Sequence, residues 1–381
     1  MKVLTLFGTR PEMIKLAPVI REMESRPAAF RAVSVASGQH DSLLHPFALQ
    51  FGVRIDYDLR VMEPEQTPNV VCSRVLAGLD PVLAQEAPDA VLVQGDTTTA
   101  LAGALAAFHR RIPVGHVEAG LRSGDPSSPY PEEMNRRLVT RLATWHFAAT
   151  PENRATLLGE GVSESCIVVT GNPVVDALQE VLRHPDAGPE ATQVLERTEG
   201  LRRLVLTTHR RESFGEPMSQ NLRVLRRFVE RHADLALIFP VHPNPAVVKV
   251  AQAVLAGHPR IHLIEPLPYG PFIRLLSQAW LIVSDSGGVQ EEAPTLGKPL
   301  LVLRENTERP EAVASGVARL VGGRPERLAE ELEEALADGS WASRAGQVEN
   351  PFGRGDAGPR IADALVRLLG VGDAPGRAVS A

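Results

Sequence analysis

Asp285-Ser-Gly-Gly-Val-Gln-Glu-Glu292 decides how this chain is read. An apolar run, Trp280 to Val283, precedes it and reads as a buried strand; Val289 to Leu296 follows and reads as a short helix. A chain that turns from strand to helix through Ser286, Gly287 and Gly288 aims backbone N–H groups at one point. With the positive end of the helix dipole, that geometry binds a phosphate or diphosphate. The glycines let the ligand approach the backbone closely. Glu292, about one turn into the helix, can accept sugar hydroxyls. A similar strand–turn–helix opens the chain: Val3 to Phe7, Gly8-Thr9-Arg10, then Pro11 to Met23. Two such turns, nearly the whole chain apart, suggest two domains closing on one nucleotide-like ligand.

Composition agrees. A chain of 381 residues with 44% hydrophobic and 23% charged residues is long enough for two cores and has ordinary soluble composition. A net charge of -6 without a long Lys/Arg run excludes nucleic acid as the expected partner. Cys72 and Cys166 stand far apart in no metal-like pair, so neither a disulfide framework nor a structural metal is expected, and a reducing cytoplasm fits. The apolar run after Met1 is too short for a signal peptide, since Arg10 and Glu12 follow at once. No apolar run reaches spanning length, so no membrane association is expected.

Apolar strand-like runs alternate with longer helical segments throughout. The strand candidates are Val3–Phe7, Ala32–Ser37, Ala90–Gln94, Val114–Glu118, Trp145–Ala148, Ile167–Thr170, Leu204–Thr208, Ala236–Pro240, Ile261–Ile264, Leu281–Ser284 and Pro299–Leu303. Helical periodicity marks Thr98–Arg110, Glu132–Ala143 and Met218–His232 among others. Such alternation predicts an α/β fold of two doubly wound parallel sheets. The expected domains are 1–171 and 172–358, with a helix over Pro359–Leu369 and a disordered tail from Gly370 to Ala381. His184 to Gly200 is polar, contains Pro185, Gly188 and Pro189, and reads as a loop or loose insertion.

The chemistry-bearing residues fall at strand ends, where open parallel sheets bind ligands. Arg10 lies on the first turn, and Lys15 leans back toward it, so the pair can hold a phosphate or carboxylate. Asp96 follows one strand and Glu118 ends the next; Glu132, in Pro129-Tyr-Pro-Glu-Glu133, is a third acid. Glu132 and Glu133 are also what a helix dipole favours in a first turn, and Arg137 lies four residues beyond Glu133. Three acids from different elements can nonetheless supply a general acid and a general base. His209 follows another strand and can donate to a leaving phosphate; His40 and His242 occupy similar positions. Leu296-Gly-Lys-Pro299 fails as a P-loop, and neither a nucleophile elbow nor a dinucleotide fingerprint is present, which argues against a serine hydrolase and a nicotinamide enzyme.

Taken together, Gly8-Thr-Arg-Pro-Glu-Met-Ile-Lys15, Gly95-Asp-Thr-Thr98, His116-Val-Glu-Ala-Gly-Leu-Arg122, Pro131-Glu-Glu-Met-Asn-Arg136, His209-Arg-Arg-Glu-Ser-Phe-Gly215, Asp285–Glu292 and Thr307-Glu-Arg-Pro310 resemble the bacterial non-hydrolysing UDP-N-acetylglucosamine 2-epimerases. The resemblance spans nearly the whole chain in family order. It implies a GT-B architecture with the ligand between two Rossmann-like domains, and a last helix packing back on the first. It implies Asp96, Glu118 and Glu132 as catalytic acids. Arg10, Lys15 and His209 match contacts around the sugar and diphosphate, and Ser286, Gly287 and Gly288 the phosphate turn. Glu292 matches the ribose contact, Phe272 an aromatic beside the uracil, and Arg309 a further ligand contact. A second, regulatory UDP-GlcNAc is implied near Gln39, His40, Gln66, Arg210 and His242. Leu267, Asp41, Ser42 and Glu65 depart from the usual pattern in regions that bind the uracil or this second molecule.

The activity so implied is reversible C2 epimerisation of UDP-GlcNAc to UDP-ManNAc in the cytoplasm, by a homodimer without cofactor or metal, feeding cell-surface polysaccharide. The C2 proton of a 2-acetamido sugar becomes acidic only as the C1–O bond to UDP breaks. Elimination gives UDP and 2-acetamidoglucal; protonation of the other face and re-addition of UDP complete the inversion. The alternatives are a paralogue acting on another UDP-2-acetamido sugar and a GT-B UDP-glycosyltransferase, which would show no C2 exchange.

Overall fold

The computed structural model describes residues 1–38, 41–63, 66–183, 188–208 and 215–370. Contacts divide the chain into two units: Met1–Ala177 together with the stretch from Gly353 onward, and Leu178–Phe352. The first boundary thus lies a few residues beyond position 171, and the return to the first unit begins before position 359.

In the first unit the strands are β1 (Lys2–Phe7), β2 (Arg31–Ala36), β3 (Tyr57–Asp58), β4 (Ala90–Gln94), β5 (Val114–Ala119), β6 (Trp145–Ala148) and β7 (Ile167–Val169). Its helices are α1 (Arg10–Glu24), α2 (Asp41–Gln50), α3 (Pro68–Glu86), α4 (Thr98–His109), α5 (Glu132–Leu142), α6 (Pro151–Gly159) and most of α7 (Pro173–Arg183). The sheet is parallel throughout, in the order β3-β2-β1-β4-β5-β6-β7. Order reverses between β1 and β4, so the turns after those strands flank the point where doubly wound sheets bind ligands. Val91, Leu92, Val93, Leu4 and Leu6 are wholly buried, as strands covered on both faces require.

The second unit repeats the plan. It contains α8 (Gly188–Arg197), β8 (Arg202–Thr207), α9 (Glu216–Arg231), β9 (Leu235–Pro240), α10 (Pro245–Leu255), β10 (Ile261–Ile264), α11 (Tyr269–Ser277), β11 (Leu281–Ser284), α12 (Gly287–Leu296), β12 (Leu300–Val302), α13 (Pro310–Ala314), β13 (Ala318–Leu320), α14 (Pro325–Leu336) and α15 (Trp341–Arg344). Its parallel sheet runs β10-β9-β8-β11-β12-β13, reversing between β8 and β11. The Asp285 turn therefore leaves a strand at the reversal, as the Gly8 and Gly95 turns do in the first unit. Leu206, Phe228, Leu237, Phe239 and Val283 are among its fully buried core residues.

A final helix, α16 (Ala357–Gly370), returns the chain to the first unit and packs on α1. The approach is close at Gly358, where a Cβ would stand 2.9 Å from the Pro18 carbonyl oxygen. Asp176 fixes the helix start, accepting from the amides of Ala357 at 3.2 Å and Gly358 at 2.9 Å.

The reading of His184 to Gly200 as a loop is corrected: Gly188 to Arg197 form α8, which buries Ala191 and Val194 against its own unit. Residues 184–187, and the expected tail beyond Gly370, lie outside the described residues. Among the described residues no helix is long and apolar enough to cross a membrane, and no group of His, Cys, Asp or Glu is placed to hold a metal ion.

Candidate active site

Glu118 is the centre of the first unit's sheet edge. It sits in β5 at an irregularity in the β5–β6 register between Val117 and Ala119, with φ +64°. A non-glycine residue held in the left-handed region costs about 1–3 kcal/mol and persists only where surrounding contacts enforce it. Those contacts are present. Lys15 Nζ donates to Glu118 Oε1 and Gln94 Nε2 to Oε2, and Asn172 Nδ2 donates to Oε1 at 2.9 Å. Glu118 and Lys15 are each 6% exposed. Three donors converging on one group suit the acceptor-only carboxylate. Lys15 is thus a buried partner of Glu118, whereas Arg10 is exposed at the first position of α1.

Asp96 follows β4, the strand paired beside β5. Its carboxylate accepts from Arg136 Nη2, and its backbone oxygen accepts from Asn135 Nδ2 at 2.9 Å. Both donors come from α5, whose first residue is Glu132. The β4 end, the β5 bulge and the α5 N-terminus therefore bring all three predicted acids to one edge of one sheet. Glu133 is different: it is fully buried and structural, accepting from the Ser123 amide at 2.9 Å and paired with Arg136 and Arg137. His116, in β5, donates from Nε2 to the Gly95 carbonyl at 2.8 Å. Burial depresses its pKa to about 3, so it stays neutral and holds the Gly95-Asp96 turn in place. His146, its register partner in β6, is likewise depressed by burial, to about 4.

The two anion-binding turns expected from the sequence differ. At α1 the donors are already used. Glu12 is 1% exposed, and its Oε2 accepts from the Gly8 amide at 3.0 Å, the Thr9 amide at 2.8 Å and Thr9 Oγ1 at 2.8 Å. Burial raises its pKa to about 7 despite these bonds and a further one from Thr97. The reading of the first turn as an open phosphate nest is therefore corrected: a carboxylate of the chain itself occupies it. The Thr9-x-x-Glu12 spacing is a capping-box signature, the signal from which this was available.

At α12 no side-chain bond from the N-cap residue Ser286 closes the first turn. Asp285 beneath it is fully buried and accepts from Thr208 Oγ1 at 2.7 Å, while the Ser286 amide donates to Ser284 Oγ at 3.0 Å. The helix begins at Gly287, two residues earlier than read, so Gly287 and Gly288 are helical. What Gly287 permits is the approach of Arg309: a Cβ there would meet Arg309 Nη1 at 2.9 Å. Arg309 in turn donates to Glu291 and Glu308. Burial opposes ionisation of Glu308, but Arg309 and Arg304 overcome it and hold its pKa well below the usual carboxylate range. Glu292 is 6% exposed. The Tyr269 hydroxyl lies against it, its pKa raised far above the ordinary phenol range by burial first and then by the Glu292 carboxylate. Phe272, on the same helix α11 as Tyr269, is half-buried.

Of the residues expected near a second ligand, Gln66 is half-buried in the first unit, and its Oε1 accepts from the Glu63 amide at 3.1 Å. His242 is exposed in the second, its Nδ1 accepting from the Asn244 amide at 3.2 Å. Gln39, His40, His209 and Arg210 lie outside the described residues. Sequence reasoning gave no role to Glu12, Gln94, Asn172, Arg136 or His116. Apart from the capping box, their roles rest on contacts between residues remote in sequence, which no local pattern announces.

Comparison with known proteins bears on this arrangement. Residues 21–366 match the family model described as UDP-N-acetylglucosamine 2-epimerase. The chain is 45% identical over 370 residues to the UDP-N-acetylglucosamine 2-epimerase of Escherichia coli strain K12, with 96% of this chain and 98% of that protein covered. Among solved structures it resembles a putative UDP-N-acetylglucosamine 2-epimerase of Listeria monocytogenes, with TM-score 0.91, 42% identity and 98% of each chain covered. It also resembles the UDP-GlcNAc 2-epimerase of Neisseria meningitidis bound to UDP-GlcNAc, with TM-score 0.90, 40% identity, and 96% of this chain and all of that one covered.

Proposed function

This chain belongs to the UDP-N-acetylglucosamine 2-epimerase family, and from that premise we propose that it interconverts UDP-GlcNAc and UDP-ManNAc through a 2-acetamidoglucal intermediate. The observation that supports this most is the set of acids on one side of the first unit's sheet: Glu118 anchored by Lys15, Gln94 and Asn172, Asp96 anchored by Arg136, and Glu132 at the start of α5. Inversion at C2 needs one group to remove a proton from one face and another to deliver a proton to the opposite face, and two of these acids supply them. The uncapped first turn of α12 suits the diphosphate, with Glu292 on the ribose and Phe272 beside the uracil. Arg10 and His209 add positive charge or a proton as the C1–O bond breaks, and that charge stabilises departing UDP. The product, UDP-ManNAc, supplies cell-surface polysaccharide.

The deciding experiment is incubation with UDP-GlcNAc in deuterium oxide, with C2 followed by NMR. Deuterium should enter C2 of both nucleotide sugars, with their sum conserved as one converts into the other. Stoichiometric release of free sugar, or turnover without C2 exchange, would sink the reading. The protein works as a homodimer. Exposed apolar side chains support this: Phe108 at the end of α4 is 55% exposed, and Met134 and Leu138 on α5 are 40% and 45% exposed. Since α5 also carries Glu132, pairing through Met134 and Leu138 would steady one of the acids.

A further inference from the structure

We propose that Glu12 is a positioning residue for the epimerisation: its carboxylate ties the β1–α1 turn to the β4–α4 turn and so fixes Asp96. The inference rests on the reading of Asp96 as an acid–base group. The two turns need a tie. They leave adjacent parallel strands at the point where strand order reverses, one toward β2 and the other toward β5. The β1–β4 ladder ends before either turn, at the pairing of Thr5 with Leu92. Glu12 provides the missing link. While Oε2 takes the Gly8 and Thr9 donors, Oε1 accepts from Thr97 Oγ1 at 2.7 Å.

Thr97 is the residue after Asp96 and the N-cap of α4. Its Oγ1 accepts from the Ala100 amide at 3.0 Å. The hydroxyl has one proton, and that proton is directed at Glu12. The direction of each bond in the chain Ala100 N–H, Thr97 O–H, Glu12 carboxylate is therefore set. Four donors and no acceptor face the group, which only a carboxylate matches. The chain reaches from the start of one helix, through a side chain that is almost wholly buried, to the start of another. Asp96 is then held on three sides: through Thr97 by Glu12, through its backbone oxygen by Asn135, and through Gly95 by His116. Misplacing a reacting group by about 1 Å can cost on the order of a hundredfold in rate.

The test is a double-mutant cycle in the full chain. Glu12→Gln keeps the shape but turns a donor toward Thr97; Thr97→Val removes the hydroxyl; Thr97→Ser keeps it. C2 exchange gives kcat and KM, calorimetry gives UDP affinity, and urea unfolding gives stability. Glu12→Gln and Thr97→Val should each lower kcat about tenfold or more with KM and UDP affinity within about twofold, the usual split for an interaction felt only in the transition state. The double variant should be no slower than the worse single, because both changes break one link. Thr97→Ser should stay near the parent. Loss of stability with kcat unchanged would make Glu12 merely structural and overturn the proposal. So would effects that multiply in the double variant, or a rise in KM matching the fall in rate. Asp96→Asn is measured alongside. If it is slow while Glu12→Gln is normal, only the clamp falls; if it turns over normally, the Asp96 reading falls and the clamp's route to the chemistry with it.

Discussion

Lys15→Met would leave the Glu118 carboxylate buried and without its ammonium. Breaking a buried pair from one side costs about 3–5 kcal/mol, because the remaining charge loses its compensation. Urea unfolding of Lys15→Met should therefore show a loss of about 3 kcal/mol or more as well as slow turnover. Arg10, exposed on the same helix, should behave oppositely: Arg10→Ala should leave stability within about 0.5 kcal/mol and weaken UDP binding by about 1.5–3 kcal/mol. Asp96→Asn, Glu118→Gln and Glu132→Gln remove proton transfer while keeping shape, and each should lower turnover on the order of a hundredfold or more. Calorimetry should find UDP affinity nearly intact; near-normal turnover in all three would refute the assignment. These acids were legible in the sequence because each falls where a strand ends or a helix begins. The positive φ of Glu118 was not, since no residue pattern marks a bulge imposed by partners 24 and 54 positions away in Gln94 and Asn172.

At the scale of elements, continuously apolar strands announced themselves, even β7 and β12 with three residues each, whereas β3 and β13 did not. β3 is only Tyr57-Asp58, and Arg319 interrupts the three residues of β13, so neither leaves an apolar run to register. α8 was hidden because its polar face and Gly188-Pro189 entry look like a loop until Ala191 and Val194 find a surface to cover. β5 and β6 carry a consequence for acid stability. His146 has its pKa lowered from the ordinary 6.5 to about 4 by burial and then by Arg122. The unfolded chain takes up this proton more readily than the folded one, so His146 costs nothing above pH 6.5 and progressively more as pH falls toward 4. At pH 5 the loss is about 2 kcal/mol from 1.5 units of displacement. His146→Gln should lack this part, and urea midpoints at pH 7 and pH 5 compared with the parent will show it. At α12, Gly287→Ala should displace Arg309 and destabilise the protein by about 1–3 kcal/mol, the range for overpacking, again read by urea unfolding.

For the whole molecule, composition and β–α alternation were enough to give two doubly wound sheets, because fully buried strands must be apolar whichever fold they serve. Regulation is the property that residues alone settle least. If a second UDP-GlcNAc binds near Gln66 and His242, the two ligands favour one another by the same factor in either order. UDP-ManNAc alone should then turn over with a lag that a trace of UDP-GlcNAc abolishes. Immediate hyperbolic turnover would show that this chain has lost the second site.

The return of α16 to α1 has a meaning for synthesis on the ribosome. Residues 178–352 form one uninterrupted stretch, whereas the first unit is written in two pieces, one before that stretch and one after it. A nascent chain can complete the second unit while the first still lacks a helix. The α1 surface that receives α16, with Gly358 close to Pro18, stays bare until the codons of that helix have been read. Translation stalled after Phe352 would release a polypeptide with one finished body and one sticky, half-clothed one. Such products should be found bound to chaperones, and supplying the 353–370 segment in trans should rescue them.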